Sequence, residues 1–298
     1  MLPSDGTRLL RTFPSAGTTV VGVMGDPVAH SLSPLLHNTA FGALGLDWVS
    51  VGFRVPSGRA AGAMTGMRTL GIAGLSVTMP HKGAVARLVD HRSAAAARLE
   101  AVNCVTKEGD RLLGDNTDGS GFVASLRRGA GFDPAGQRCV VAGAGGAARA
   151  VVLALAEAGA TEVVVVNRTV ERAAAAAALA GRSGRVGVPE DAAGADLVVD
   201  ATPAGMWGTA AATATPPVDP VLLGPGQLAV DLVYHPPMTA WLSAAAARGA
   251  AVLGGLGMLV HQAADQVERW TGQPAPVEAM WRAAQDATDS AGPPPEGV

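Results

Sequence analysis

Short β-branched runs alternate along the chain with longer stretches whose apolar residues recur at helical spacing. Residues 19–24, 48–55 and 71–77 read as strands, and 33–44, 58–69 and 81–89 as the helices after them. Ser33-Pro34 predicts a helix start, with Ser at the cap and Pro in the first turn. A further helix is expected at 93–99. Residues 102–107 and 111–113 predict a hairpin around Glu108-Gly109-Asp110. Beyond Asp118 the alternation tightens. Strands are expected at 138–142, 162–166, 197–201 and 227–231, with helices at 147–158 and 170–179. Each crossover in such a series needs a helix, which forces parallel pairing and an α/β architecture. Amphipathic helices at about 258–270 and 277–287 follow, and the tail 291–298, with three consecutive prolines, is expected to be disordered.

Composition narrows the class. A chain of 298 residues suits one large or two ordinary domains. At 48% hydrophobic and 16% charged residues, an extended polyelectrolyte is excluded. A net charge of -3 supplies no broad phosphate-neutralising surface, so no nucleic-acid partner is expected. No run approaches the ~18 apolar residues of a membrane span. The first eighteen residues or so lack a signal pattern. Cys104 and Cys139 have no ligand spacing, and the histidines at 30, 37, 81, 91, 235 and 261 show no metal spacing and read mostly as surface or edge residues. These features together predict a reduced, cytoplasmic protein without a metal.

The most informative string is Gly143-Ala144-Gly145-Gly146-Ala147-Ala148, placed between a predicted strand and a predicted helix. There a G-x-G-x-x-G/A pattern has a mechanism. Gly143 allows the tight turn, Gly145 lets backbone approach a pyrophosphate, and Ala148 lets the helix pack on the strand. Amides at the helix start then face phosphate, aided by the dipole. A tight βα turn without a ligand is the plainer alternative. The next strand ends in Asn167-Arg168-Thr169, followed by Arg172. An NAD site usually presents an acid there. Two guanidiniums with neutral polar neighbours suit a 2′-phosphate, which favours NADP over NAD.

In the first half, Ser31 follows a Gly-Asp-Pro turn and could donate to a small polar ligand, whereas Ser33 has a capping role to explain it. Thr78 and Lys82 bracket Met79-Pro80-His81 at a strand-to-helix turn. A lysine shielded there could shuttle protons, although a solvated lysine is the commoner case. Asn103 lies at the start of the hairpin. Gly114-Asp115-Asn116-Thr117-Asp118-Gly119 puts two carboxylates and an amide in one loop at a domain boundary. Such loops also bind calcium, but Asp-x-x-Asp without the longer ligand series is poor evidence for it.

Together these strings resemble the shikimate dehydrogenase family, over Val21 to about Trp281. The matching motifs, in the family's order, begin with Gly25–Pro34, Val77–Lys82, Ala101–Asn103 and Gly114–Gly119. Gly143–Arg149, Asn167–Thr169 and Gly255–Gln262 complete them. The resemblance implies a substrate-binding domain from residues 1–117 with the returning helices of 255–298, and a Rossmann-type NADP-binding domain at 118–254. The active site would be the cleft between them. It further implies that Ser31, Ser33, Thr78, Lys82, Asn103, Asp118, Tyr234 and Gln262 bind shikimate or 3-dehydroshikimate. Lys82 and Asp118 would be the catalytic pair. Gly143, Ala144, Gly145, Gly146, Ala147, Asn167, Arg168, Thr169, Arg172 and Gly255 would contact the cofactor, in a monomer or homodimer.

The chain departs from the family at Ser76, where Asn is common, at Cys104, where Thr is usual, and at Gly254, a frequent Asp. Asp200-Ala201-Thr202-Pro203 stands where Asn-Ala-Thr-Ser is more usual. Ser76 puts substrate breadth in doubt. A quinate/shikimate or aminoshikimate dehydrogenase is the alternative within the family. A catalytically inactive NADP-binding regulator is the alternative outside enzymology, but such a protein would be expected to have lost Lys82 or Asp118.

Overall fold

A computed structural model describes residues 14–206 and 211–290; the proline-rich tail lies outside the described residues. The chain divides into two compact units. One comprises the chain up to Thr117 together with Ala263–Ala284, the other Asp118–Gln262 with the segment from Gln285.

The first unit is built on strands β1 (Thr19–Gly25), β2 (Trp48–Arg54), β3 (Gly74–Val77), β4 (His91–Arg92), β5 (Cys104–Glu108) and β6 (Arg111–Asp115), in the order β2-β1-β3-β5-β6-β4. Helices α1 (Ser33–Leu44), α2 (Ala60–Thr69), α3 (Lys82–Ala86) and α4 (Ala94–Leu99) connect them. β1 pairs in parallel with β2 and β3, because helical crossovers join them. The hairpin β5–β6 adds on antiparallel, so this sheet is mixed rather than wholly parallel. Met24, Met67, Leu75, Val85 and Leu112 meet in its core. The start of α1 differs from expectation. Leu32 occupies the cap position without a side-chain bond, Ser33 is the first helical residue, and the Ser31 Oγ accepts from the Ser33 N–H at 3.3 Å. Ser31 therefore has the local structural role that the sequence had suggested for Ser33. Ser93 caps α4, accepting from the Ala96 N–H at 3.2 Å.

The second unit holds β7 (Arg138–Ala142), β8 (Glu162–Val166), β9 (Gly184–Val186), β10 (Leu197–Asp200), β11 (Leu228–Asp231) and β12 (Ala251–Leu253), ordered β12-β11-β10-β7-β8-β9. Every pairing in it is parallel. Alternate residues divide between its faces. Val141, Val163, Val165, Val199 and Val230 pack with Phe122, Val151 and Leu155, while Val140, Val164, Val198 and Ala229 pack with Trp241 and Leu242. Phe122 lies on α5 (Asp118–Gly129), Val151 and Leu155 on α6 (Gly146–Glu157), and Trp241 on α8 (Ala240–Ala247); α7 (Val170–Ala177) follows β8. The chain ends on α9 (Leu256–Thr271) and α10 (Val277–Ser290). Helix α5 is not apparent from propensity, because it contains three glycines. Packing overrides the propensity. A Cβ on Gly119 would lie 3.0 Å from the Ala150 carbonyl, and one on Gly121 2.6 Å from the Gln262 nitrogen.

Trp270 packs closely on β3 at Gly74, both in the first unit. The indole N–H donates to the Val105 carbonyl at 3.0 Å, and the ring lies where a Gly74 side chain would project. Gly74→Ala is expected to destabilise the protein by about 1–3 kcal/mol through overpacking. Urea titration followed by tryptophan fluorescence checks this; an unchanged midpoint would show that the ring can yield.

Candidate functional site

The glycine loop leaves β7 at the point where the strand order reverses, with β8 on one side and β10 on the other. In open parallel sheets that crevice is where ligands bind. Gly143 has φ +112°, its N–H donates to the Val166 carbonyl at 2.8 Å, and a Cβ on it would lie 3.1 Å from the Ala201 carbonyl. Handedness and space therefore both require glycine. Gly145 is the cap residue of α6 and has no side-chain cap bond. A Cβ on Gly145 or Gly146 would meet nothing within 4 Å. The first amides of a twelve-residue helix thus front an open cradle, which fits the diphosphate of a dinucleotide. Ala144 and Ala147 are half-buried beside it, and Ala148 is fully buried against the sheet.

At the end of β8, the Asn167 side-chain amide donates to the Thr169 carbonyl at 2.9 Å and Thr169 is the cap residue of α7. Arg168 and Arg172 are exposed. Two exposed cations and two neutral polar groups thus follow the strand next to β7, an arrangement with the charge to hold an anion.

In the first unit, parallel pairing brings the ends of β1 and β3 to one edge, where antiparallel β5 begins. The Thr78 N–H donates to the Met24 carbonyl (2.9 Å), that of Val77 to Asn103 (2.7 Å), and that of Val102 to Lys82 (3.0 Å). Ser31 and Ser33 after β1, Thr78 and Lys82 after β3, and Asn103 before β5 therefore share one end of the sheet. Asn103 is 2% exposed. Its Oδ1 accepts from the Thr117 N–H at 2.7 Å, and its Nδ2 donates to the Thr117 hydroxyl at 3.1 Å.

A buried polar chain supports that corner. The Gln266 amide donates to the Asn103 carbonyl at 3.2 Å, so its oxygen faces His37 Nε2 at 3.2 Å. His37 must then donate from Nε2 and accept at Nδ1 from Ser50, 3.0 Å away. Burial lowers the His37 pKa to about 4, which keeps the ring neutral. His37, His81 and His261 are thus interior residues, contrary to the surface or edge placement expected from sequence. The His81 Nε2–H donates to the Val55 carbonyl at 2.7 Å. A sequence reading could have found Gln266 from its place one helical turn after Gln262.

The remaining candidates lie in the second unit. Asp118 is the buried first residue of α5, and Gln262 on α9 donates to the Leu259 carbonyl at 3.0 Å. Their two helices cross at Gly121. Tyr234 follows β11, half-buried, and burial pushes its phenol pKa up. Gly255 donates to the Val233 carbonyl at 3.1 Å and lies so close to the Leu232 backbone that packing alone requires glycine. Among the described residues no group of three or more His, Cys, Asp and Glu side chains could hold a metal ion, and no helix is long and apolar enough to cross a membrane.

A switch-point glycine loop with a basic strand end defines a dinucleotide-binding α/β protein. Three family models match: the shikimate dehydrogenase substrate binding domain (residues 23–105), shikimate / quinate 5-dehydrogenase (128–204) and the shikimate 5′-dehydrogenase C-terminal domain (255–285). The chain is 46% identical over 282 residues to a shikimate dehydrogenase (NADP(+)) of Moorella thermoacetica, covering 91% of this chain and 94% of the relative. It resembles the crystal structure of shikimate 5-dehydrogenase from Thermus thermophilus in complex with NADP(H) and shikimate, with 39% identity and a TM-score of 0.84 over 91% of this chain and 100% of that one. Quinate dehydrogenase from Corynebacterium glutamicum in complex with NAD gives 32% and 0.82 over 90% and 99%. The chain belongs to the shikimate dehydrogenase family.

If Arg168 and Arg172 read the 2′-phosphate, replacing both by Ala will weaken NADP by about tenfold or more while leaving NAD nearly unchanged. Titration calorimetry with both cofactors measures this; equal losses would place the phosphate contact elsewhere.

Proposed function

We propose that this chain is an NADP-dependent shikimate dehydrogenase in which Lys82 and Asp118 manage the proton. The observation that carries the residue assignment is the gathering of Thr78, Lys82 and Asn103 at one sheet edge, where polar groups suited to a hydroxylated ring acid are held by backbone bonds. Residues 1–117 with the returning helices of 255–298 serve as the substrate-binding part, and 118–254 as the NADP-binding part.

Bound NADPH supplies the hydride that reduces the ring ketone of 3-dehydroshikimate. Negative charge then develops on the former carbonyl oxygen, and Lys82 donates a proton to it, giving the alcohol of shikimate. Asp118 accepts from the neighbouring substrate hydroxyl and orients the lysine. Ser31, Ser33, Thr78, Asn103, Tyr234 and Gln262 hold the remaining hydroxyls and the carboxylate. In the opposite direction Lys82 takes the proton as hydride leaves. The glycine loop holds the diphosphate, and Arg168 with Arg172 the 2′-phosphate. The reading extends to a cytoplasmic monomer or homodimer serving aromatic amino-acid precursor synthesis. An alternative, a quinate/shikimate or aminoshikimate dehydrogenase, is favoured by one feature: Ser76 is buried in β3, two residues before Thr78.

Lys82→Ala and Asp118→Asn should each lower kcat by ~10²–10⁴-fold with substrate saturating. Activity within about tenfold of wild type in both variants would sink the proton-transfer pair. A four-way assay of shikimate or quinate with NADP or NAD is expected to give dominant turnover with shikimate and NADP. Comparable quinate turnover would move the protein to the alternative.

A further inference from the structure

Asp200 and Asp231 end the neighbouring parallel strands β10 and β11 and are register partners. They are 1% and 0% exposed. Three of their four oxygens have donors. Asp200 Oδ1 accepts from the Thr202 N–H (2.9 Å) and hydroxyl (2.7 Å). Asp231 Oδ1 accepts from the Val233 N–H (2.9 Å), and its Oδ2 from the Thr239 hydroxyl (2.7 Å). The fourth, Asp200 Oδ2, is buried without a hydrogen-bond partner. The charge that acts on Asp200 is that of another acid, Asp231. On its other side β7 presents Ala142, its register partner, and then Gly143. The turn after β10 presents Thr202 and Pro203, and α8 meets Asp231 through its cap residue Thr239.

We infer that this carboxyl pair holds one proton, on Asp200 Oδ2, and that protonated Asp200 positions the cofactor loop as a carboxamide would. Two ionised carboxylates side by side in a buried site repel, and the proton belongs on the oxygen that no donor serves. A protonated carboxyl has the shape and the acceptor oxygen of Asn, the residue usual in this motif. Its Oδ1 sets the turn of residues 200–202, and the carbonyl of Ala201 in that turn is what a side chain on Gly143 would strike. The Ala201 N–H also donates to the Ala142 carbonyl at 2.8 Å, so backbone ties this turn to the strand end that leads into the dinucleotide loop. Ionised Asp200 would have to shift or admit water, and the loop would move with it. Burial is consistent with this, raising the Asp200 pKa to about 7 and that of Asp231 in the same direction.

The sign of the pH dependence follows. An unfolded Asp titrates near ~3.9, so between there and about 7 the folded state holds an extra proton. Wild-type stability then falls as pH rises through that window and levels above it, a loss that Asp200→Asn cannot show. The inference rests on the dinucleotide reading for its positioning part alone. The test compares wild type with Asp200→Asn from about pH 5.5 to about pH 8.5, by thermal unfolding without ligand and by calorimetric NADP affinity. The Tm advantage of Asp200→Asn should widen with pH. The ratio of wild-type to variant Kd for NADP should start near unity and rise about fivefold or more across neutrality. A Tm gap independent of pH would overturn the proton assignment, and a flat Kd ratio would overturn the positioning role. Absence of NADP binding at every pH would overturn the dinucleotide reading and the positioning role with it, while the Tm gap still decides the proton. Should Asp200→Asn fail to fold, Asp231→Asn serves instead. Removing the neighbouring charge should displace the wild-type pH dependence toward acid, and an unmoved midpoint would overturn the pairing.

Discussion

Two strands running in the same direction need a crossover between them, and each crossover returns the chain to the same edge of the sheet. Nearly all the candidate chemistry here depends on that geometry. In the first unit it brings the ends of β1 and β3 together, and with them Ser31, Thr78 and Lys82. In the second it gathers the glycine loop after β7, the arginines after β8, and the acids that end β10 and β11.

What parallel pairing gathers, buried hydrogen bonds then hold in place. Asn103 shows this most fully. Its backbone N–H and carbonyl join Asp115, Val77 and Gln266, while its side chain clamps Thr117 through two bonds. Replacing its side chain by an apolar one would remove the bonds to the Thr117 N–H and hydroxyl, each at a cost of ~1–3 kcal/mol, while the backbone bonds stay. A polar group fixed from so many directions is also pre-organised for a ligand, because its rotamer is set before anything binds. The neutral His37 and the Gln266 amide extend the same logic away from the site, exchanging bonds that an apolar core could not make.

The motifs at 143–148 and 167–172 were legible because their chemistry is local: a strand end, a tight turn and a helix start lie within a few residues of one another. The Asn103 corner was less so. Its partners Thr117 and Gln266 are distant in sequence, and only the fold sets them against it. Helix α5 is not legible in the sequence because three glycines lower its propensity, and the close helix approaches that compensate are tertiary. The role of Ser31 as the acceptor for Ser33 reversed the expected cap, since Leu32 adopts helical dihedrals and starts the helix one residue earlier than the side chains suggest. Three of the histidines, His37, His81 and His261, are interior for a related reason: a neutral imidazole pairs well inside a core, and hydropathy alone does not reveal its partner.

The distribution of charge at the edge of the second sheet favours a polyanionic ligand only if its acids are restrained. Exposed Arg168 and Arg172 place positive charge after β8, where solvent screens it but does not cancel it. Asp200 and Asp231, on the other side of β7, are buried, where the field of an unpaired charge is screened far less. Were both ionised, two negative charges would oppose the phosphates from inside the protein, against two cations acting from water. Asp231, with donors on both oxygens, can carry its charge; Asp200, with one oxygen unserved, is the group for which a proton removes both the desolvation penalty and half of that opposing field. An aspartate at this position is therefore compatible with dinucleotide binding when it behaves as a neutral residue, and the shape it then presents is that of asparagine.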